Sequence, residues 1–398
     1  MSMTRLPARL LAAWWVPALL LSIASALAIW IRPQVSHEIR PEVVRERPES
    51  IPADQFAGLI RSLSEEDGYF SSDNFTSNET SYLHVMDTLR DMHVTGGAYI
   101  GVGPEQNFTY IARVRPRIAF IVDIRRQAVL QHLLYKAVFH MSPNRVDFLS
   151  NLLSRPVTGP GAPAPEDSTE RLVEYFRSTP APDEVFAANL ERVRTMIEKQ
   201  FKVPLSAPDL ERLQYVYSTF QREGLEISFR SGPRTRWGGY GRYPGLGDLI
   251  LQPDLHGQMG NFLAHEEDYE FVRDLQVQNR VIPLVGDFAG PKALRGVADY
   301  LRKHGLTVRT FYTSNVEQFL FRSGTFGVFA ANVRKLPIDT GSVFIRAVPM
   351  RGLHHPAHVA GHRTTTLLQK MSIFLADYDE GRYTDYWELV TTHFIGER

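Results

Sequence analysis

The order of apolar and polar residues between positions 96 and 125 predicts a strand, a glycine turn, a helix and a second strand that ends in an acid. Gly101 and Gly103 lie in the turn, and Asp123 follows the apolar run 118–122, 20 residues after Gly103. Glycine lets a ligand approach the backbone closely, and an acid at this place commonly accepts hydrogen bonds from a ribose. The pattern therefore predicts the opening of a nucleotide-binding α/β fold.

The residues after the turn indicate which nucleotide fits best. A dinucleotide fingerprint requires a third glycine, whereas Gly103 is followed by Pro104 and by polar residues. A Gly-x-Gly-Pro turn is closer to the turn that S-adenosylmethionine enzymes use. The predicted cofactor-binding residues are Gly101, Gly103, Pro104, Glu105, Gln106, Asn107 and Asp123.

Two later apolar runs, 281–285 and 308–312, predict further strands of the same sheet. In doubly wound sheets, side chains just past the strand ends face the ligand crevice. Asp287, Asn315 and Glu317 occupy such positions, and we predict them as the catalytic residues. Each of the three taken alone also fits a helix cap or a turn, so the prediction depends on their convergence at one sheet edge.

Helical periodicity dominates the middle of the chain and predicts a mostly helical insertion at 141–222, which is either a lid or a structural addition. The elements predicted after it, besides the two strands above, are strands at 225–229 and 342–348 and helices at 363–376 and 384–393. A polar loop at 70–81 precedes the first strand. That loop fits a solvated turn with a helix cap, and it also fits a loop that lies over the ligand.

The amino terminus carries a second strong signal. Residues 10–31 form a run of 22 residues without a charge, bounded by Arg9 and Arg32. This length suffices for a transmembrane helix, which takes about 20 residues. A cleaved secretory signal is the alternative, because basic residues precede the run. A very short leading tail favours a tail in the cytoplasm and an exported globular domain, although the positive charges on the two flanks do not settle the orientation.

The predicted organisation has six parts. They are a short tail at 1–9, a transmembrane anchor or uncleaved signal at 10–31, a proline-rich charged linker at 32–55, the first half of the domain at 56–140, the helical insertion at 141–222, and the second half with its terminal helices at 223–398.

Composition narrows the function classes. The 398 residues include 44 basic and 44 acidic side chains, so the net charge is zero and nothing indicates a nucleic-acid partner. Cysteine is absent, which excludes disulfides and thiolate chemistry. Four histidines lie between positions 354 and 362, but Pro356 and Gly361 oppose a regular helix there, and we predict no metal site.

The segments GAYIGVGPEQNFTYIARVRPRIAFIVDIRR and VIPLVGDFAGPKALRGVADYLRKHGLTVRTFYTSNVEQFLF resemble the class I methyltransferase fold, and more closely an uncharacterised bacterial domain family described as methyltransferase-like. The similarity covers roughly residues 55–350. It implies a Rossmann-like, doubly wound sheet with Gly101, Gly103 and Asp123 facing S-adenosylmethionine. It implies no established reaction.

Three hypotheses follow from these patterns. The first is a membrane-anchored enzyme that binds S-adenosylmethionine, or a related nucleotide, and acts on a small molecule. The second is an exported binding protein or pseudoenzyme with another ligand, which is favoured by Tyr99 at the position where such methyltransferases usually carry an acid. The third is a hydrolase or transferase in which Glu105, Asp287 or Glu317 is the general base.

Overall fold

The computed structural model describes residues 49–230, 243–350 and 354–396. Its centre is a six-stranded sheet with the strand order β3-β2-β1-β4-β5-β6. The strands are β1 (Ala98–Gly101), β2 (Ile118–Asp123), β3 (Val281–Val285), β4 (Val308–Ser314), β5 (Val343–Pro349) and β6 (Thr364–Lys370). All neighbours pair in parallel except β6, which is antiparallel to β5. The mixed α/β architecture with a mostly parallel sheet is consistent with the predicted Rossmann-like fold.

Helices surround this sheet. In the described part of the chain they are α1 (Ala53–Leu63), α2 (Met86–Asp91), α3 (Gln106–Val114), α4 (Arg126–Met141), α5 (Arg145–Leu153), α6 (Thr169–Ser178), α7 (Asp183–Thr195), α8 (Ala207–Glu223), α9 (Leu246–Ile250), α10 (Glu266–Val277), α11 (Ala293–Lys303), α12 (Val316–Ser323), α13 (Phe326–Val333), α14 (Met371–Asp379) and α15 (Tyr386–Thr391).

The apolar runs explain the strands. Every residue of β1, β2 and β3 is buried, as expected for parallel strands that helices cover on both faces. Their order reverses between β1 and β4, because β2 and β3 lie on one side of β1 while β4 and β5 lie on the other. In such sheets the ligand crevice lies at this point, beyond the carboxyl ends of the strands.

Two predicted elements are wrong. Residues 225–229 do not form a strand: a 3-10 turn spans Gly224–Glu226, and Ser228 makes only an isolated bridge to Gly245. The helix predicted at 363–376 is a strand followed by a helix, since β6 covers Thr364–Lys370 and α14 begins at Met371. Three successive β-branched threonines at 364–366 favour the extended conformation that the structure has there.

The amino-terminal predictions lie largely outside the described residues. The predicted anchor at 10–31 is not among them, and the linker prediction is covered only from residue 49 onward, where α1 already begins at Ala53. Within the described ranges, no helix combines the length and the apolar character that a membrane crossing requires.

Lys136 is a cation buried within the helical layer. Its side chain on α4 is 1% exposed, and its Nζ lies 4.8 Å from the ring centres of both Phe56 and Phe201. The same Nζ donates a hydrogen bond to the carbonyl oxygen of Gln276. Burial lowers the pKa of this amine from 10.5 to about 7.

This burial predicts a pH-dependent stability. The unfolded chain keeps the lysine proton up to its ordinary pKa of 10.5, whereas the folded chain releases it near a pKa of about 7. The unfolded state therefore binds more protons in that window, and Lys136 makes the free energy of unfolding rise by about 1.4 kcal/mol per pH unit. In Lys136→Met we expect this contribution to vanish, as measured by urea unfolding at about pH 7, 8 and 9. The exposed Lys199→Met should keep the wild-type slope; equal slopes in Lys136→Met and wild type would contradict the assignment.

Candidate functional site

The glycine turn after β1 is held from within by Asn107. The Nδ2 of Asn107 donates hydrogen bonds to the carbonyl oxygens of Val102, Gly103 and Pro104 at 2.9, 3.1 and 2.8 Å. Gly103 has a φ of +79°, a backbone conformation that favours glycine, and a side chain there would meet no atom within 4 Å. Gly103 therefore has the left-handed conformation expected in a glycine turn, with open space where a side chain would lie, whereas Gly101 is the last residue of β1 and has no positive φ.

Gly101 and Tyr99 lie behind the turn. A Cβ on Gly101 would lie 1.9 Å from Oδ1 of Asn107, so only glycine fits here. The hydroxyl of Tyr99 donates to the same Oδ1 at 2.9 Å, and Tyr99 is fully buried. Tyr99 therefore supports the turn from the core at the position where a methyltransferase would usually have an acid.

Asp123 is engaged by a neighbouring guanidinium group. Its Oδ1 accepts hydrogen bonds from the backbone N–H and the Nε of Arg125, and its Oδ2 accepts from Nη2, all at 3.0 Å. The Nη1 of Arg125 donates to the carbonyl oxygens of Ser72 and Asp73 at 2.9 and 2.6 Å. Both residues of the Asp123/Arg125 ion pair are buried. The carboxylate predicted to bind a ribose thus has protein donors on both oxygens.

Residues 72–81, the crossing segment, lie at the sheet edge where the ligand crevice was predicted. Ser77 donates its backbone N–H to Oε1 of Glu105 at 3.2 Å and its hydroxyl to Oε1 of Gln106. Glu79 accepts from Nε2 of Gln106 at 2.7 Å and from the hydroxyl of Ser314, the last residue of β4. Glu79 therefore lies between the carboxyl ends of β1 and β4.

The crossing segment is part of the core. Ser77 and Glu79 are 6% and 4% exposed, and Phe75 and Thr76 are fully buried. Of the two interpretations of the predicted polar loop, the solvated turn is wrong for these residues. The segment lies over the sheet edge, and its side chains bond the turn and the end of β4.

Two buried carboxyl groups of this region have raised pKa values. Burial raises the pKa of Glu79, although hydrogen bonds from Ser314 and Gln106 oppose the shift. Burial raises the pKa of Glu105 to about 7; the hydrogen bond from the Ser77 backbone lowers it, and the charge of Glu79 adds to it. The Oε2 of Glu105 has no hydrogen-bond partner among the described residues. Carboxyl groups with such pKa values are candidates for acid–base chemistry.

His132 lies on the other side of the glycine turn. Its Nε2 is 2.8 Å from the carbonyl oxygen of Gly103, so this nitrogen carries the hydrogen and donates it. Its Nδ1 has no partner in the described part of the chain. Burial lowers the pKa of His132 to about 4, and the ring is therefore neutral at neutral pH.

The three predicted catalytic residues make other contacts. Glu317 is fully buried, and its Oε1 accepts from Nε of Arg346 and from the hydroxyl of Thr313, both at 2.9 Å. Asp287 accepts the backbone N–H of Ala289 at 2.8 Å, as a turn residue does. Asn315 precedes α12 and forms no side-chain cap hydrogen bond. The structure brings Glu79, Glu105 and Gln106 together instead.

Sequence reasoning missed Arg125 and Arg346 as members of this region, and it included Glu79 only as part of the polar loop at 70–81, without its partners. Arg125 follows Asp123 by two residues, the spacing at which an aspartate accepts a nearby backbone N–H. That local signal was available. Glu79 and Arg346 offered none, because their partners are far along the chain.

An open depression of about 300 Å³ adjoins the Asp123/Arg125 ion pair. It is lined by residues 67–73 together with Arg125, Gln127 and Arg212. Tyr69 at its rim is 86% exposed, which is unusual for so large an aromatic side chain. The depression lies beyond the carboxyl end of β2 and does not include the glycine turn.

The histidines near the β5–β6 connection serve packing contacts. The rings of His84 and His362 are 4.3 Å apart and edge to face, and His355 lies 2.9 Å from the carbonyl oxygen of Val390 through Nε2. Across residues 49–230, 243–350 and 354–396, no three His, Asp or Glu side chains are grouped so that they could hold a metal ion.

Comparison with protein families gives a match over most of the chain. The model of a family described as Domain of unknown function (DUF7790) matches residues 74–157 and 172–393 of this chain. No curated protein matches the sequence. The matched ranges contain the glycine turn, β1 to β6, Asp123, Arg125 and most of the crossing segment. Because this match covers more than half of the chain, the protein belongs to the DUF7790 family of unknown function.

Proposed function

We propose that this protein is a binding protein that keeps a Rossmann-like sheet but does not use S-adenosylmethionine. The observation that carries the proposal is the occupation of the predicted cofactor crevice by the protein's own chain. Glu79 is hydrogen-bonded to Gln106 after β1 and to Ser314 at the end of β4. A methyl donor bound in the usual way would lie between these two strand ends.

The state of Asp123 supports the same conclusion. Arg125 donates three hydrogen bonds to this buried carboxylate and leaves one lone pair, on Oδ2, for a ribose. A ribose that took more of the carboxylate would leave the buried guanidinium group without its partner. Displacing Glu79 or Ser77 would likewise leave buried polar groups unbonded, at about 1–3 kcal/mol each. The cofactor would have to offset several such costs before it gained any affinity.

The depression beside Arg125 is the alternative ligand site. It is open to solvent, and it lies beyond the end of β2, at the edge of the sheet where ligands of doubly wound folds bind. The proposal retains the predicted membrane anchor at 10–31 and an exported binding domain, where a cytosolic methyl donor has no role.

Calorimetric titration of the full chain with S-adenosylmethionine and S-adenosylhomocysteine tests the proposal. We expect no saturable heat from either compound, because the crevice and Asp123 are occupied. Saturable binding of either one, lost in Asp123→Ala, would overturn the proposal and restore the methyltransferase-like hypothesis.

Asp123→Ala itself should act on stability. Removing this carboxylate leaves Arg125 buried without its counter-ion, and we expect a loss of roughly 3–5 kcal/mol in the free energy of unfolding. Asp379→Ala is the matched control, since Asp379 forms a solvent-exposed pair with Arg334 and its loss should change the free energy of unfolding far less. Urea unfolding measures both. Equal, small losses would mean that Arg125 does not depend on Asp123.

A second candidate is an enzyme in which Glu105 is the general base. Such an enzyme is either a hydrolase or a transferase, and the transferases include those that use S-adenosylmethionine. It is favoured by one specific observation: Oε2 of Glu105 has no partner in the described structure, and the pKa of this group is raised to about 7. The open backbone of Gly103 and the neutral ring of His132 flank the same turn. A substrate at the turn would meet a base poised near neutral pH.

Glu105→Gln tests this candidate. The folded protein holds the Glu105 proton up to a pKa of about 7, whereas the unfolded chain releases it near 4.5. The folded state binds more protons in that window, so Glu105 lowers stability by about 1.4 kcal/mol per unit as the pH rises from 4.5 to 7. We expect Glu105→Gln to lack this loss and therefore to have a larger free energy of unfolding than wild type above neutral pH. Substitutions at functional sites often raise stability in this way.

Buried histidines give the free energy of unfolding a pH dependence of the opposite sign. Because wild type and Glu105→Gln share these histidines, the difference between their unfolding curves isolates the contribution of Glu105. Glu267→Gln, at a side chain 86% exposed, should match wild type throughout. If Glu105→Gln is no more stable than wild type above neutral pH, Glu105 is an ordinary buried residue and the second candidate fails.

A further inference from the structure

The depression beside Arg125 is lined by two carboxylates, Asp67 and Asp73, and by two guanidinium groups, Arg125 and Arg212, so its lining carries no net charge. Arg125 is paired with Asp123 and also bonds two carbonyl oxygens of the crossing segment. Nη1 of Arg212 lies 2.7 Å from Oδ2 of Asp67, whose Oδ1 accepts the backbone N–H of Arg126 at 2.7 Å. An anionic ligand would meet the carboxylate of Asp67, and a cationic ligand would meet both guanidinium groups. The electrostatics therefore favour a neutral ligand.

The rim of the depression offers aromatic surface. Tyr69 is 86% exposed, so most of its ring is available to cover one face of a ligand. Phe70 in the lining packs edge to face on Phe319 at 5.4 Å between ring centres, and Phe319 is itself 37% exposed. Aromatic rings that stay in water at an otherwise polar site gain free energy when a ligand covers them.

The polar groups of the lining suit hydroxyl groups. Ser71 contributes a hydroxyl, Asp73 a carboxylate whose Oδ1 accepts from the hydroxyl of Tyr215 at 3.3 Å, and Gln127 an amide whose Nε2 donates to the carbonyl oxygen of Asp73 at 3.4 Å. The remaining lone pairs and the second amide hydrogen still offer acceptors and donors side by side. A sugar hydroxyl both donates and accepts, and a sugar ring adds an apolar C–H face that stacks on an aromatic ring. The volume of about 300 Å³ is at the small end of ligand sites, which run from roughly 300 to 1,000 Å³.

From this combination we infer that the depression lined by residues 67–73, Arg125, Gln127 and Arg212 binds a neutral monosaccharide, with Tyr69 as its stacking platform. The inference rests on the proposed function, since it names the ligand class of the proposed binding protein. It does not depend on the glycine turn.

The test is saturation-transfer difference NMR on the full chain in lipid nanodiscs, with glucose, galactose, mannose, N-acetylglucosamine and adenosine as separate probes. We expect at least one of the four sugars to receive saturation from the protein. Tyr69→Ala should weaken that sugar's binding roughly tenfold, the factor that corresponds to about 1.4 kcal/mol. Tyr69→Phe should keep it, because the ring remains.

Ile373→Ala is the matched control, since Ile373 is 41% exposed on α14 and does not line the depression. Tyr69→Ala and Ile373→Ala should both keep the wild-type melting temperature, because both side chains are exposed. An unchanged melting temperature separates loss of binding from loss of fold. No response from any of the four sugars, or a response that Tyr69→Ala leaves unchanged, overturns the saccharide inference.

The outcome also separates this inference from the proposed function. A response from adenosine alone, lost in Tyr69→Ala, overturns the saccharide assignment and leaves a binding protein with a nucleoside ligand. Saturable heat from S-adenosylmethionine in the calorimetric titration overturns the proposed function itself, and with it the inference.

Discussion

The Asp123/Arg125 ion pair organises the edge of the sheet at the carboxyl ends of β1, β2 and β4, the predicted ligand edge. One guanidinium group binds both oxygens of the carboxylate at the end of β2 and two carbonyl oxygens of the crossing segment. Because the pair is buried, each of these hydrogen bonds is shielded from water and costly to break. Arg125 thereby holds residues 72 and 73 beside the sheet, and the segment that follows them reaches Glu105, Gln106 and the end of β4.

The buried carboxyl groups at this edge fall into two kinds. Asp123 and Glu317 each have a guanidinium partner, Arg125 and Arg346, so their negative charges are compensated. Glu79 and Glu105 accept hydrogen bonds from neutral hydroxyl, amide or backbone donors. Without a partner cation, burial raises the pKa of both groups. The predicted acids Asp123 and Glu317 are thus bound to guanidinium groups, whereas the raised pKa values belong to Glu79 and Glu105.

The sequence predicted most of the sheet correctly because parallel strands covered on both faces are nearly continuous apolar runs. β2, β3 and β4 were found in this way, and the glycine turn was found from Gly101 and Gly103. β6 was missed because an edge strand beginning with three threonines has no such run. The contacts of the ligand edge could not be predicted, since Glu79 meets Ser314 across 235 residues and Arg346 meets Glu317 across 29, and no local pattern encodes either distance.

The choice between a binding protein and an enzyme then comes down to a comparison of costs. A ligand over the glycine turn must break contacts of the crossing segment to reach Asp123 or the space between β1 and β4, and those contacts involve buried polar atoms. A ligand in the depression beside Arg125 displaces only solvent from an open surface and gains the exposed face of Tyr69. Arg125 of the Asp123/Arg125 ion pair lines the depression, so this part of the sheet edge is open to solvent, although the carboxylate predicted to bind a ribose is buried. This difference in cost is the reason for proposing a binding protein rather than a methyltransferase.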